Sequence, residues 1–410
     1  MAGKAAVLSS GARLADYLSV GLLARIFPPS LVQQALELSG RQSQRNRAFP
    51  AAAVVYYVVA LSLYRSVNAQ EVLHVVCEGL DYLDCPAPLS DVGKSGISQA
   101  RTRLGEAVMQ EIAREVLQPM GLAPNAKTDT AQSSPTHWRG LRVVALDGST
   151  VEVADEQANR EAFGVPGTQH GRTGYPQARF TALFERGSGA LFAVTLAGYK
   201  MSENQLARQT IGALKPDMLC LADRGFAGYP LWQYASQTKA ALLWRIPKNR
   251  RLPKLELLAD GSFLSELNIA PATHRDHPQL SGEPIKVRVI EYSVPGHRDS
   301  EPIYRLITTL LDAKAYPAEE LAALYTERWG IETAFADLKT TLKGADIVLR
   351  SKTPELVRQE FWGMLLAYQA VRLLMWEVAQ TNRLAPEKLS FKGVLNTVRR
   401  KLPRSGAIPP

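Results

Sequence analysis

An α/β fold is expected for this 410-residue chain, in which a mixed-sheet core with an inserted β-rich subdomain lies between two helical regions. Three observations predict it. Residues 12 to 120 carry apolar runs at helical period, from 141 onward short β-like apolar runs surround one helical stretch, and residues 356 to 378 return to a long apolar helix.

The N-terminal helices are read from the runs Leu31 to Leu38, Ala51 to Leu63, Val72 to Val76 and Val108 to Leu117. The longest apolar stretch, Ala48 to Tyr64, contains Pro50 and is flanked by Arg47 and Arg65; it falls short of the ~20 residues of a membrane span and reads as a buried core helix. No membrane partner is expected. The opening MAGKAAVLSSGARLADYL is interrupted by Lys4 and Arg13, unlike a secretory leader, which favours a cytoplasmic location. A polar stretch rich in Ala, Thr, Ser and Pro then marks a linker.

The core opens with a strand at 141 to 147. QARFTALFE and ALFAVTLAG, on either side of Gly187-Ser188-Gly189, read as a hairpin. A helix around 203 to 214 leads to a strand that ends at Asp223. The interval from Asp223 to Glu332 is too long for a simple connection and holds the β-like runs PIKVRVIEY and PIYRLITTLL, hence the inserted subdomain. The expected organisation is a helical domain at 1–120, a linker at 121–138, a catalytic domain at 139–346 with its insertion at about 247–310, a helical region at 347–400 and a flexible tail at 401–410.

Asp147 closes the apolar run Val143 to Leu146 before Gly148-Ser149, and Asp223 closes Met218 to Ala222 before Arg224-Gly225-Phe226. Functional groups gather where sheet strands run out, so the two aspartates and a helical glutamate can converge. Two carboxylates about 4 Å apart repel by on the order of 4 kcal/mol at an effective dielectric near 20, which a proton or a divalent cation must offset. Oxygen-only donors select Mg²⁺ or Mn²⁺ over zinc, and two such ions would activate a water and stabilise a leaving oxygen in phosphodiester cleavage.

Tyr325, Arg328, Glu332 and Lys339 recur within LYTERWGIETAFADLK so that, at about 100° per residue, they share a wedge of about 60° on one helix. Leu324, Ile331, Phe335, Leu338 and Leu342 take the neighbouring face, and Glu327, Thr333, Asp337 and Thr341 the side toward water.

The chain carries 48 Lys and Arg against 39 Asp and Glu, a formal charge of +9 and a pI near 9.4, which favours a polyanionic partner. Basic residues cluster at Arg41, Arg45 and Arg47, and at Lys94, Arg101 and Arg103, where Ser98 and Gln99 complete a helix face suited to DNA. The densest cluster, Arg245, Lys248, Asn249, Arg250, Arg251 and Lys254, opens the insertion, where Arg245, Lys248, Arg250 and Arg251 are expected to clamp DNA phosphates, while for the neighbouring Trp244 core packing is expected. Three cysteines, Cys77, Cys85 and Cys220, give no disulfide framework. His74, Cys77 and Cys85 lack the fourth ligand of a zinc site.

Asp147-Gly148-Ser149, Asp223-Arg224-Gly225-Phe226 and the spaced Tyr325, Arg328, Glu332 and Lys339 together resemble the DDE transposases of bacterial insertion sequences, specifically the IS-four family. SGISQARTRLG, residues 95 to 105, is similar to that family's helical N-terminal region. The resemblance implies an RNase H-like catalytic core with Asp147, Asp223 and Glu332 as ligands of two Mg²⁺ or Mn²⁺ ions, and with Tyr325, Arg328 and Lys339 holding phosphates at the transposon end. It also implies double-stranded DNA partners, both terminal inverted repeats and target, a homodimer holding two ends, and cut-and-paste joining through a hairpin. A structure-specific nuclease on the same fold, or a non-catalytic DNA-binding descendant, would share many of these features.

Overall fold

The computed structural model describes residues 22–43, 49–64, 68–80, 92–122, 134–167, 174–293, 303–338 and 348–401, apart from the side chains of 22, 74, 75, 77–80, 329–332, 400 and 401. The chain divides into two compact units. One holds Met1–Met120, Val151–Ala178 and Ala334–Pro410; the other holds Gly121–Thr150 and Arg179–Thr333.

In the first unit the N-terminal apolar runs fold as α1 (Leu22–Ile26), α2 (Pro29–Leu38), α3 (Ala51–Leu63), α4 (Ala69–Leu80), α5 (Lys94–Leu104) and α6 (Ala107–Val116). In α3 every residue from Ala53 to Leu63 is buried, so its lack of a polar face reflects enclosure on all sides. Among the described residues, no helix is long and apolar enough to cross a membrane.

The second unit is organised by a sheet that begins with β1 (His137–Trp138) and β2 (Leu141–Glu152). After β2, α7 (Gln157–Phe163) belongs to the first unit. β3 (Gln177–Glu185) and β4 (Leu191–Gly198) form the expected hairpin, followed by α8 (Glu203–Thr210), β5 (Met218–Ala222), α9 (Tyr229–Gln237) and β6 (Ala241–Arg245). The insertion supplies β7 (Glu256–Leu257), β8 (Phe263–Leu267), α10 (Pro271–Asp276), β9 (Ile285–Tyr292) and β10 (Tyr304–Thr308). Next come α11 (Ala318–Thr326) and α12 (Trp329–Ala336). The last helices are α13 (Pro354–Thr381) and α14 (Phe391–Lys401).

The strand order is β4-β3-β2-β5-β6-β10-β9-β8-β7, with β1 paired to β2. β2, β5 and β6 are parallel neighbours. This central arrangement, with a hairpin on one side and helices in the crossovers, is the RNase H-like mixed sheet. The insertion does not fold apart from it: β10 pairs antiparallel with β6 and β9, β8 and β7 follow, so the inserted strands cover what would otherwise be an open edge. Beneath the sheet, Trp232 of α9 meets Trp244 of β6 edge to face with centroids 5.1 Å apart, both fully buried.

In the first unit α13 packs against α3, α6 and α14. Gly363 makes the α3 contact possible, since a Cβ there would stand 2.8 Å from the Val58 carbonyl oxygen. Gln359 of α13 donates to the carbonyls of Arg101 and Gly105, and Gln369 to that of Gln118.

Three local expectations are corrected. β2 does not end at Asp147 but runs on to Glu152: it is the pairing with the shorter β5 that stops, at Leu146↔Ala222. The segment from Tyr325 to Lys339 is not one unbroken helix. α11 closes at Thr326, where the Glu327 and Arg328 amides reach back to the carbonyls of Leu324 and Tyr325 in tight i to i+3 bonds, and α12 restarts at Trp329. Asp337 does not face water but pairs with Arg372 at 2.8 Å.

Candidate active site

The register Leu146↔Ala222 puts Asp147 and Asp223 one residue beyond the last pair of two adjacent parallel strands, at the same end of the sheet. Each carboxylate is oriented by a nearby glycine amide: Gly148 N donates to Asp147 Oδ1 at 2.8 Å, and Gly225 N to Asp223 Oδ1 at 2.8 Å. Phe226, buried at 1% exposure, anchors the Asp223 turn in the core.

Burial pushes the Asp147 carboxyl up to about 6. The Gly148 amide and the Arg328 guanidinium oppose that rise, while the negative charges of Asp223 and Glu203 add to it. Aspartates from two strands, an arginine from the α11–α12 turn and a glutamate from α8 therefore act on one another. Glu203 was not anticipated from sequence, although the helix start Ser202-x-x-Gln205 would have placed it at the first helical position.

A raised carboxyl pKa means the folded state holds that proton more tightly than the unfolded chain. Without divalent ions, Asp147 therefore subtracts stability as pH rises from 3.8 to about 6. In EDTA, the melting temperature of Asp147→Asn relative to wild type is expected to climb across that interval. A constant difference would contradict the assignment.

Tyr325 is buried at 4% exposure, and its hydroxyl donates to the Ala222 carbonyl at 3.2 Å. That engages the group expected to meet a phosphate and pins α11 to the end of β5 beside Asp223. Arg328 lies in the turn after α11 with its guanidinium 5.8 Å from the Tyr325 ring centroid. Glu332 lies in α12, but its side chain is outside the described residues, as is all of Lys339.

The donors at this site are carboxylate oxygens, which fit a hard divalent cation, and a cation would offset the burial and repulsion that now raise Asp147. Among the described residues alone, no three His, Cys, Asp or Glu side chains are grouped closely enough to hold a metal ion. The side chains of His74 and Cys77, and all of Cys85, lie outside the described residues.

The other basic candidates divide. On α5, Ser98, Gln99 and Arg103 are exposed, whereas Arg101 adjoins the buried row Ile97, Ala100 and Leu104. Its guanidinium is enclosed, donating to Gln359 Oε1 at 2.9 Å, Ser351 Oγ at 3.0 Å and the Leu356 carbonyl at 3.2 Å, so it holds helices together and is removed from the expected DNA face. In the cluster that opens the insertion, Arg245 stands 4.3 Å from the Tyr304 ring and Arg250 donates to the Ala227 carbonyl at 2.9 Å. Lys248, Arg251 and Lys254 are exposed. Arg45 and Arg47 lie outside the described residues.

Comparison with known proteins gives this geometry its family. Residues 138–370 match the Transposase DDE domain, and residues 17–114 match the Insertion element 4 transposase N-terminal domain. The chain is 31% identical over 382 residues to Transposase InsG for insertion sequence element IS4 from Escherichia coli K12, covering 91% of this chain and 81% of that protein. It is 28% identical over 242 residues to Putative transposase InsZ of the same organism, covering 58% of this chain and 76% of that one. Among solved structures, the piggyBac transposase synaptic complex with hairpin DNA aligns with a TM-score of 0.49 at 9% identity, covering 94% of this chain and 80% of that one. With two aspartates one residue beyond the last pair of adjacent parallel strands and both domain matches in sequence order, the chain belongs to the DDE transposases of the IS-four family.

Proposed function

We propose that the chain cuts the ends of an insertion sequence and joins the freed 3′ hydroxyl to target DNA, by way of a hairpin, with Asp147, Asp223 and Glu332 holding two Mg²⁺ or Mn²⁺ ions. The observation that carries this reading is the placement of Asp147 and Asp223 one step beyond Leu146↔Ala222, with the Arg328 charge acting on Asp147. Bound ions would supply a water of lowered pKa and neutralise the departing oxygen. The chain's own groups do the rest. The Gly148 and Gly225 amides fix the carboxylate orientations, the planar fork of Arg328 grips a phosphate and Lys339 acts as a point charge. Tyr325, with its hydroxyl on Ala222, keeps the arginine turn seated near Asp223.

DNA is gripped by α5, through Ser98, Gln99 and Arg103, and by the exposed Lys248 and Arg251. A homodimer holds two ends at once. In salt titrations with an end-containing duplex, Arg103→Ala is expected to reduce the slope of log K against log salt by about one, as a lost phosphate contact does. Arg101→Ala should leave that slope unchanged and instead lower stability by about 1–3 kcal/mol through its orphaned partners. Equal slope losses from both would contradict this division.

The deciding assay is the purified chain with a labelled end-containing duplex and Mn²⁺. Cutting with joining supports the transposase reading. Cutting alone favours a nuclease on the same fold, and binding alone a non-catalytic DNA-binding protein.

A further inference from the structure

The ladder between β2 and β5 stops at Leu146↔Ala222, so no backbone bond of that pair spans the next position, where the two carboxylates repel. Something else has to keep them in place. The start of α8 stands beside both. Ser202 caps it: its hydroxyl accepts from Gln205 N at 3.3 Å while Gln205 Oε1 accepts from Ser202 N at 2.9 Å, a reciprocal pair that fixes where the helix begins. Glu203 and Asn204 then occupy its first two positions.

Their side chains go to different turns. The Glu203 carboxylate lies across Gly148: a Cβ added there would stand 2.0 Å from its Oε1 and 2.8 Å from its Cδ. Gly148 is not among the positive-φ glycines, so what this position uses is the absent side chain, not backbone freedom. Asn204 Nδ2 donates to the Gly225 carbonyl at 3.3 Å. Gly148 and Gly225 are the two residues whose amides orient Asp147 and Asp223. One helix start thus contacts both glycines on which the aspartates depend.

From this arrangement we infer that Glu203 and Asn204 are positioning residues, which bracket the Asp147 and Asp223 segments and hold the two carboxylates at the separation a shared pair of divalent ions needs. The inference rests on the metal-binding reading of the site proposed above. Asn204 acts through Gly225, and Glu203 acts through Gly148 in addition to its charge on Asp147.

The test is direct Mn²⁺ binding to the full-length protein, followed by electron paramagnetic resonance, with thermal unfolding in EDTA run alongside and Asp147→Ala marking the site. Asn204 is exposed, so Asn204→Ala is expected to fold as the wild type does. Asn204→Ala and Glu203→Ala should each weaken Mn²⁺ binding about tenfold, the scale on which outer partners of metal ligands act. Gly148→Ala should do the same by displacing Glu203, and Gly148→Ala/Glu203→Ala should bind no more weakly than Glu203→Ala alone, because both changes break one contact. If Asp147→Ala loses binding while Asn204→Ala and Glu203→Ala keep wild-type affinity, or if the double variant shows additive losses, the inference is overturned and the metal site stands. If Asp147→Ala itself binds Mn²⁺ as the wild type does, the metal-binding reading falls, and the inference with it.

Discussion

Asp147→Ala, Asp223→Ala and Glu332→Ala are each expected to lose cleavage of an end-containing duplex by on the order of a thousandfold or more, while their affinity for the uncut duplex changes little. The scale is that of removing one group that stabilises developing charge in an enclosed site. The reasoning begins with the sheet. Adjacent parallel strands whose register ends at Leu146↔Ala222 bring Asp147 and Asp223 to one end, and burial there has already raised the Asp147 carboxyl to about 6. A side chain held at that cost to the folded state is a candidate for catalysis more than for stability. Removing either aspartate takes a carboxylate from the proposed metal site while leaving the exposed cations of α5 and of the insertion in place, so binding is expected to survive. Gel-resolved cleavage and fluorescence anisotropy on the same preparations separate the two quantities. A variant that cuts at the wild-type rate removes its residue from the active site.

Trp244→Ala is expected to destabilise the second unit by about 3–5 kcal/mol, as measured for large buried aromatics cut back to alanine. Trp244 stands beside the basic run that opens the insertion, and core packing is the role its sequence setting leads one to expect. The structure decides for packing. Its ring is fully enclosed, edge to face against Trp232, and Trp244 pairs with Ala222 on one side and Ile307 on the other, at the seam between the RNase H-like strands and the inserted ones. The cavity left by alanine would loosen α9 from that seam. Chemical denaturation should show an earlier transition, whereas a DNA-contact role would leave stability intact and weaken binding alone.

Features encoded locally are legible in the sequence. An apolar run that stops at an acid beside glycine located both aspartates, and the length of the interval after Asp223 announced the insertion. What escaped depended on partners remote in sequence. Arg101 looked like part of a basic face, but its acceptors lie on residues 351 to 359, more than two hundred positions away. The Tyr325 hydroxyl finds Ala222 over a separation of 103 residues. Glu203 belongs to a helix whose polar pattern reads as an ordinary capped start until Gly148 is seen beneath it. Gly148 follows an apolar run, a setting in which a glycine signals a turn far more often than it signals space for a neighbouring side chain. The continuous helical stripe was broken by two tight hydrogen bonds at Glu327 and Arg328, where no proline gave warning.

The convergence of distant acids on divalent ions is tested most directly by crystals of the full-length protein soaked in Mn²⁺, with diffraction collected at the manganese absorption edge. The expected map carries anomalous peaks within bonding distance of the Asp147 and Asp223 carboxylates, with the Glu332 carboxylate turned toward one of them. Peaks elsewhere, with Asp147 and Asp223 bare at saturating Mn²⁺, would contradict it.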